Sequence, residues 1–357
     1  MKDFFGRLAR STSSLISRIT QLYHPKTLRE KGWIWGSGLG TITLIIILYF
    51  IGVYWSSVPD RFNVRDNTRN TLAEMNLEPV TGSYTTATLL TVIETLLEKP
   101  GGYLSNDIMP PSVFLDNIPN WEFGALTQVR DLARSLRNDM SRSQSQSLEN
   151  KDLAITEPQF NYSNDSWIFP STEGEYYQGI DALKRYLSSL SLQGKTNAQF
   201  FARADNLRDW LAIMEKRLGS LSQRLSASVG QERINTDLAG DPDAAQSTST
   251  SDHVTVKTSW LEIDDVFYEA RGSTWALIHF LHAVEIDFHE ILKKKNALVS
   301  LRQIIRELEA TQEPISSPVV LNGGGFGIFA NYSLVMASYI SRANAAIIDL
   351  RNLLSQG

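Results

Sequence analysis

Cysteine is absent from the 357 residues of the chain, which excludes a disulfide framework, a thiolate metal site and a cysteine nucleophile. That absence suits any compartment and locates nothing. Histidine is scarce, at five residues. Positive charge is not in excess either: 34 basic residues against 39 acidic ones leave a formal net charge of −5. A nucleic-acid binder needs a basic face, so no nucleic-acid partner is expected. Strand signals are few, with no sustained Val/Ile/Thr alternation and no Asn-Gly pair joining two such runs. Yet 42% hydrophobic and 20% charged residues exclude a disordered acidic chain and leave enough apolar material for a core.

Charge is missing altogether from residues 32–59. Within that gap lies WIWGSGLGTITLIIILYFIGVYW, Trp33 to Trp55, which as a helix is about 34 Å long against a hydrocarbon core of about 30 Å. Trp33, Trp35, Tyr54 and Trp55 stand at its two ends, where amphipathic rings settle at headgroup depth. The stretch is too long for a signal-peptide core, and no small-residue cleavage pattern follows it. A single-pass anchor in a lipid bilayer is expected. Residues 1–32 carry a net charge of +5 and residues 56–357 a net charge of −10, so the tail should stay in the cytoplasm and the acidic bulk on the far side. Phe4, Phe5, Leu8, Leu15, Ile19 and Leu22 lie at roughly helical spacing among the basic residues of the tail. That pattern suits either an amphipathic helix on an anionic leaflet or a disordered topogenic tail.

Proline divides the rest. Eight prolines punctuate 59–170, whereas Pro242 is the only one between 171 and 313, and a proline-poor stretch rich in Leu, Ala, Glu and Arg favours long helices. Phe200, Ala204, Leu207, Leu211, Met214, Leu218, Leu221 and Leu225 repeat at alternating spacings of four and three. Such a coiled-coil-like seam asks for a partner helix. Shorter seams run Leu126, Val129, Ala133, Leu136, Met140 on a helix expected to start near Trp121, and Met336, Ile340, Ala343, Ile347, Leu350, Leu354 near the C-terminus. A helical pattern over 260–311 changes phase near Lys293–Lys295 and predicts a bend. Ser83 is the expected cap of a helix over 84–98, and Ser171 that of another. Residues 141–158 form a weaker break, and 230–256, polar and with a Ser/Thr run, read as a flexible loop within one bundle. The fold class expected is all-α: a transmembrane helix at 33–55, then a helical bundle over 56–357.

Three of the five histidines, His279, His282 and His289, share one predicted helical face. Imidazoles so placed could bind a divalent metal or protonate together near pH 6. However, His289 lies seven residues beyond His282, about 10 Å along the axis, so one ion could not take all three without help from another helix. Ordinary surface or interface histidines are the plainer account. Gly323, Gly324, Gly325 and Gly327 precede the last seam and offer free amides for an anion, or a hinge that lets the helix pack closely. No Walker lysine follows them, no GxSxG elbow occurs and no Ser–His–Asp triad can be assembled from spacing. Neither an enzymatic activity nor a cofactor is expected.

Several phrases together carry a resemblance: YLSNDIMPPSVFLDNIPNWEFGAL (103–126), RNDMSRSQSQS (137–147), FARADNLRDWL (201–211), RLGSLSQRLSASVG (217–230) and GGGFGIFANYSLVMASYISRANAAIIDLRNLL (323–354). The chain resembles an uncharacterised family of Gram-negative inner-membrane proteins, known only as a domain of unknown function. That resemblance implies the bacterial inner membrane and a periplasmic C-terminal domain, and brings no site residues with it. The leading functional expectation is a scaffold or adaptor that docks other envelope proteins, or a second copy of itself, on its helical seams. The alternative is a ligand- or metal-sensing module using the histidine face and signalling through a partner.

Overall fold

The computed structural model describes residues 21–143, 148–192, 198–234, 253–314, 320 and 332–356. Contacts divide the chain into two units, 1–54 and 55–357. In the first, α1 (Pro25–Lys31) opens on a proline and is capped by the His24 ring, and Gly32 at φ 84° separates it from α2 (Trp33–Trp55). Apolar side chains cover α2 all round, its mean hydropathy is 2.0, and almost none of it is buried by protein. By length and composition this helix can cross a membrane. Trp33 and Tyr54 are exposed near its two ends, and the Lys31 ammonium sits 4.6 Å over the Trp35 ring. The amphipathic pattern of residues 1–20 falls outside the described residues.

The second unit is a helical bundle. Its helices are α3 (Val64–Glu74), α4 (Ser83–Glu98), α5 (Asn117–Ser135), α6 (Leu153–Phe160), α7 (Thr172–Ser191), α8 (Ala204–Ser226), α9 (Ile263–Asp287), α10 (His289–Lys294), α11 (Leu298–Glu309) and α12 (Tyr332–Ser355). The fold class is all-α, as the scarcity of strand signals implied. At its centre α5 and α9 cross backbone to backbone. A Cβ on Gly124 would lie 1.9 Å from the Glu269 carbonyl oxygen, and one on Gly272 1.9 Å from that of Trp121. Only glycine permits that approach, and it lets Trp121 and Trp275 meet with ring centroids 5.2 Å apart.

The long seam finds its partner inside the molecule. Leu207, Leu211, Met214, Leu218, Leu221 and Leu225 of α8 are buried, as are Met336, Ile340, Ala343, Ile347, Leu350 and Leu354 of α12, and the two helices run antiparallel against each other. Ser333 Oγ donates to the Leu225 carbonyl at 2.9 Å, Ser222 and Ser341 share a hydrogen bond of 2.6 Å, and Arg351 pairs with Glu215 at the other end. The α5 seam is buried as well, and the bundle leaves none of these faces open.

Several local expectations are corrected. Phe200 lies outside the seam helix, which starts only at Ala204; its ring instead meets Phe288 edge-on and sits where a Cβ on Gly82 would fall. The helix expected near Trp121 starts one turn earlier, at Asn117, whose N–H is accepted by the Asp116 side chain. Ser83 is not a cap: its hydroxyl accepts from Val80 N, and the start of α4 is capped from another helix by Asp287, which takes Gly82 N at 2.8 Å and Thr85 N at 2.6 Å. Ser171 does cap α7, through Gly174 N. The 260–311 pattern breaks twice, at Phe288 and at Lys295–Ala297, where Asn296 takes φ 53°. The ends of the 230–256 loop pair as an antiparallel ribbon, β1 (Gln231–Ile234) with β2 (His253–Val256). Periodicity gave no sign of α3 or of the short α6, which holds Pro158 inside it.

Candidate functional site

The three histidines of the predicted face meet different fates. His279 is buried on α9 between Trp275 and Phe62, its ring stacked on Phe62 at 4.0 Å. Its Nδ1–H donates to the Trp275 carbonyl at 2.7 Å, and Nε2 accepts the Phe62 backbone N–H at 3.1 Å. Both ring nitrogens are therefore engaged by the fold, and the neutral form is the one these bonds require. Burial presses its pKa down to about 4. His279 ties the segment after α2 to the bundle and has no lone pair left for a ligand.

His282 and His289 open instead onto a cleft of about 490 Å³, walled by Phe62, Asn63 and Arg65 on one side and by Glu285 and Arg302 on the other. Arg302 Nε donates to Glu285 at 2.7 Å. A neighbouring hollow of about 460 Å³ brings Arg61 and Glu309, paired at 2.9 Å, to the other side of His282. Partial burial lowers the His282 pKa, with Glu309 and Glu285 opposing and Arg61 reinforcing that shift. Among the described residues no three His, Cys, Asp or Glu side chains converge as a metal site would need. The glycine run Gly323, Gly324, Gly325 and Gly327 lies outside the described residues. Trp55, one of the expected membrane-interface anchors, lies over Gly101, where a Cβ would come 2.7 Å from its ring, and packs on the core of the second unit.

A surface that the sequence reading did not single out is formed by two loops. Residues 105–116 and 163–171 are fastened together by Asn106, whose Nδ2 donates to the Ser166 carbonyl at 2.9 Å and to Glu173 at 2.8 Å. The first loop is fixed at its root by Glu122, which accepts from Leu104 N and Ser105 N and pairs with Lys99 at 2.6 Å, both side chains out of water. Burial pushes the Glu122 carboxyl up, and the Lys99 ammonium opposes that shift. On this firm base Ile108, Met109, Val113 and Phe114 project from one loop and Trp167, Ile168 and Phe169 from the other. Phe114 is 77% exposed and Phe169 95%. Phe169 also holds φ 49°, a backbone region that costs a non-glycine residue about 1 kcal/mol. Seven large apolar side chains on two joined loops exceed the scattered exposure normal for a protein surface. Their signal in the sequence was legible: IMPPSVF and WIFP put uncharged apolar residues next to prolines, where loops are ordinarily polar.

The residues from 28 to 357 match the model of a family described as an uncharacterised protein conserved in bacteria (DUF2333), and the chain belongs to that family. No curated protein and no solved structure matches the chain.

Proposed function

We propose that this member of the family is a membrane-anchored adaptor of the bacterial envelope, held in the inner membrane by residues 33–55 with its helical unit in the periplasm. In this reading the unit recruits another envelope protein through the joined apolar loops. The expected docking faces, the helical seams, are spent within the bundle, so an adaptor must use a different surface. The observation that carries the reading is the exposure of Phe114 and Phe169 on loops that hydrogen bonds hold in place. Aromatic side chains on a rigid base are the usual anchors of protein interfaces. The two loops carry Asp107, Asp116 and Asp165 and no Lys or Arg, which favours a partner with an apolar pocket and a basic rim. The charge asymmetry across 33–55 supports the orientation.

The test is crosslinking in native membranes followed by co-purification, with wild type compared against Phe114→Ser combined with Phe169→Ser. Each fully buried phenylalanine contributes about 1.5–3 kcal/mol, so the double variant should lose its partner while melting as the wild type does. Recovery of the same neighbours with both variants sinks the proposal. Recovery of a second copy of the chain in place of another protein would make the surface a self-association face.

A sensing role is the second reading, favoured by the half-buried His282 imidazole, which among the described residues has no hydrogen-bond partner. The wall of its cleft is the 60–65 segment, a few residues beyond the apolar helix, so an occupant would act on the link to the membrane. Metal analysis of the purified chain, repeated with His282→Ala and His289→Ala, decides it: equal metal content in all three leaves this reading without support.

A further inference from the structure

On a different face, α5, α8 and α9 enclose a groove of about 390 Å³, continuous with one of about 240 Å³ beneath α6 through the shared residues Asp131, Arg134 and Arg217. The second unit is acidic as a whole, but this groove is not. Arg217 is held by Asp131 through two hydrogen bonds of 2.7 and 3.0 Å, and Arg224 by Glu269 in the same two-pronged way. Glu157, the third carboxylate on its walls, is engaged by Arg137 at 2.7 Å. Three cations remain without an ion-pair partner among the described residues: Arg130, Arg134 and Lys216. Arg130 is rigidly placed, donating to the Phe160 and Tyr162 carbonyls at 2.8 and 2.7 Å, so its charge stays uncompensated.

Gln128, 1% exposed, lines the groove and is fixed there by donating through Nε2 to Ser273 Oγ at 2.8 Å.

We propose that this groove binds a phosphate monoester or diester. The phosphate oxygens would take Lys216 and Arg134, and the carbon body would rest on Phe123, Ile213 and Leu221. A phosphate carries up to about two negative charges and several strong acceptor oxygens, which suits cations that have no carboxylate within ion-pair distance. The same chemistry is offered by a soluble glycerophosphate and by the headgroup of an anionic phospholipid. This site is independent of the apolar loops.

The test is calorimetric titration of the detergent-solubilised full chain with glycerol 3-phosphate and, separately, with dihexanoyl phosphatidylglycerol. Saturable binding of either probe is expected, weakening as salt rises. Arg134→Glu with Lys216→Glu should weaken it at least about tenfold, while His282→Ala leaves it unchanged. Binding of the first probe assigns a soluble ester, and binding of the lipid alone assigns a headgroup. No binding of either, or equal binding by the charge-reversed variant at an unchanged melting temperature, overturns the proposal.

Discussion

Two buried groups of the second unit titrate in opposite senses, and replacing one of them should expose the other. His279 falls from an ordinary pKa of 6.5 to about 4 on burial, and Asp287 rises from 3.8 to about 6. A base whose pKa drops on folding takes its proton more readily in the unfolded chain. Its effect is nil above pH 6.5, and stability declines as pH falls towards 4, by about 3 kcal/mol at about 1.4 kcal/mol per unit. The acid behaves conversely, because its folded form holds the proton more tightly. Stability from Asp287 is fully present below pH 3.8 and is lost as pH rises through 6, again by about 3 kcal/mol. Between pH 4 and 6 the two slopes nearly cancel in the wild type. In Asp287→Asn only the histidine slope remains, so the stability of the variant relative to wild type should fall by about 3 kcal/mol from pH 6.5 to 4. In His279→Gln the relative stability should rise over the same interval. Urea unfolding of the full chain in detergent, followed by tryptophan fluorescence at half-unit pH steps, measures both differences, and groups common to all variants drop out. A wild-type-minus-variant difference that stays constant from pH 7 to 4 refutes the burial argument for whichever residue was replaced.

Further outcomes follow from the packing. Gly124→Ala or Gly272→Ala puts a methyl group into a backbone carbonyl at 1.9 Å and should cost about 3 kcal/mol or more by thermal melting. By contrast Gly219→Ala meets nothing nearer than Asn344 at 3.6 Å and should gain about 0.5–1 kcal/mol as a helix-interior alanine. Lys99→Met leaves the Glu122 charge buried without its counter-ion, so chemical unfolding should show a loss of about 3–5 kcal/mol; a second change, Glu122→Gln, removes the charge while keeping an acceptor for the Leu104 and Ser105 amides and should recover part of it. Alkaline phosphatase joined after Gly357 should be active in bacteria, and activity of a cytosolic reporter at that position would reverse the orientation proposed.

Pattern alone settled what depends on neighbours along the chain. The 3.6-residue period of α8, α9 and α12, the apolar length of 33–55 and the Ser171 cap are local properties, since each is decided within one or two turns of helix. Which side chains meet across the bundle is not local. That α12 occupies the α8 seam, that His279 spends both nitrogens on Trp275 and Phe62, and that Asp287 caps a helix some two hundred residues away all depend on how the helices cross. The same holds for the groove around Gln128, whose cations come from α5 and α8, and for the apolar loops joined by Asn106. A heptad says that a partner helix is needed, because its apolar face must leave water, but the face is equally satisfied by any complementary stripe. The close crossing at Gly124 and Gly272 sets how α5 and α9 lie against each other, and only the packing of all the helices together determined which stripes were used within the molecule and which side chains stayed outside.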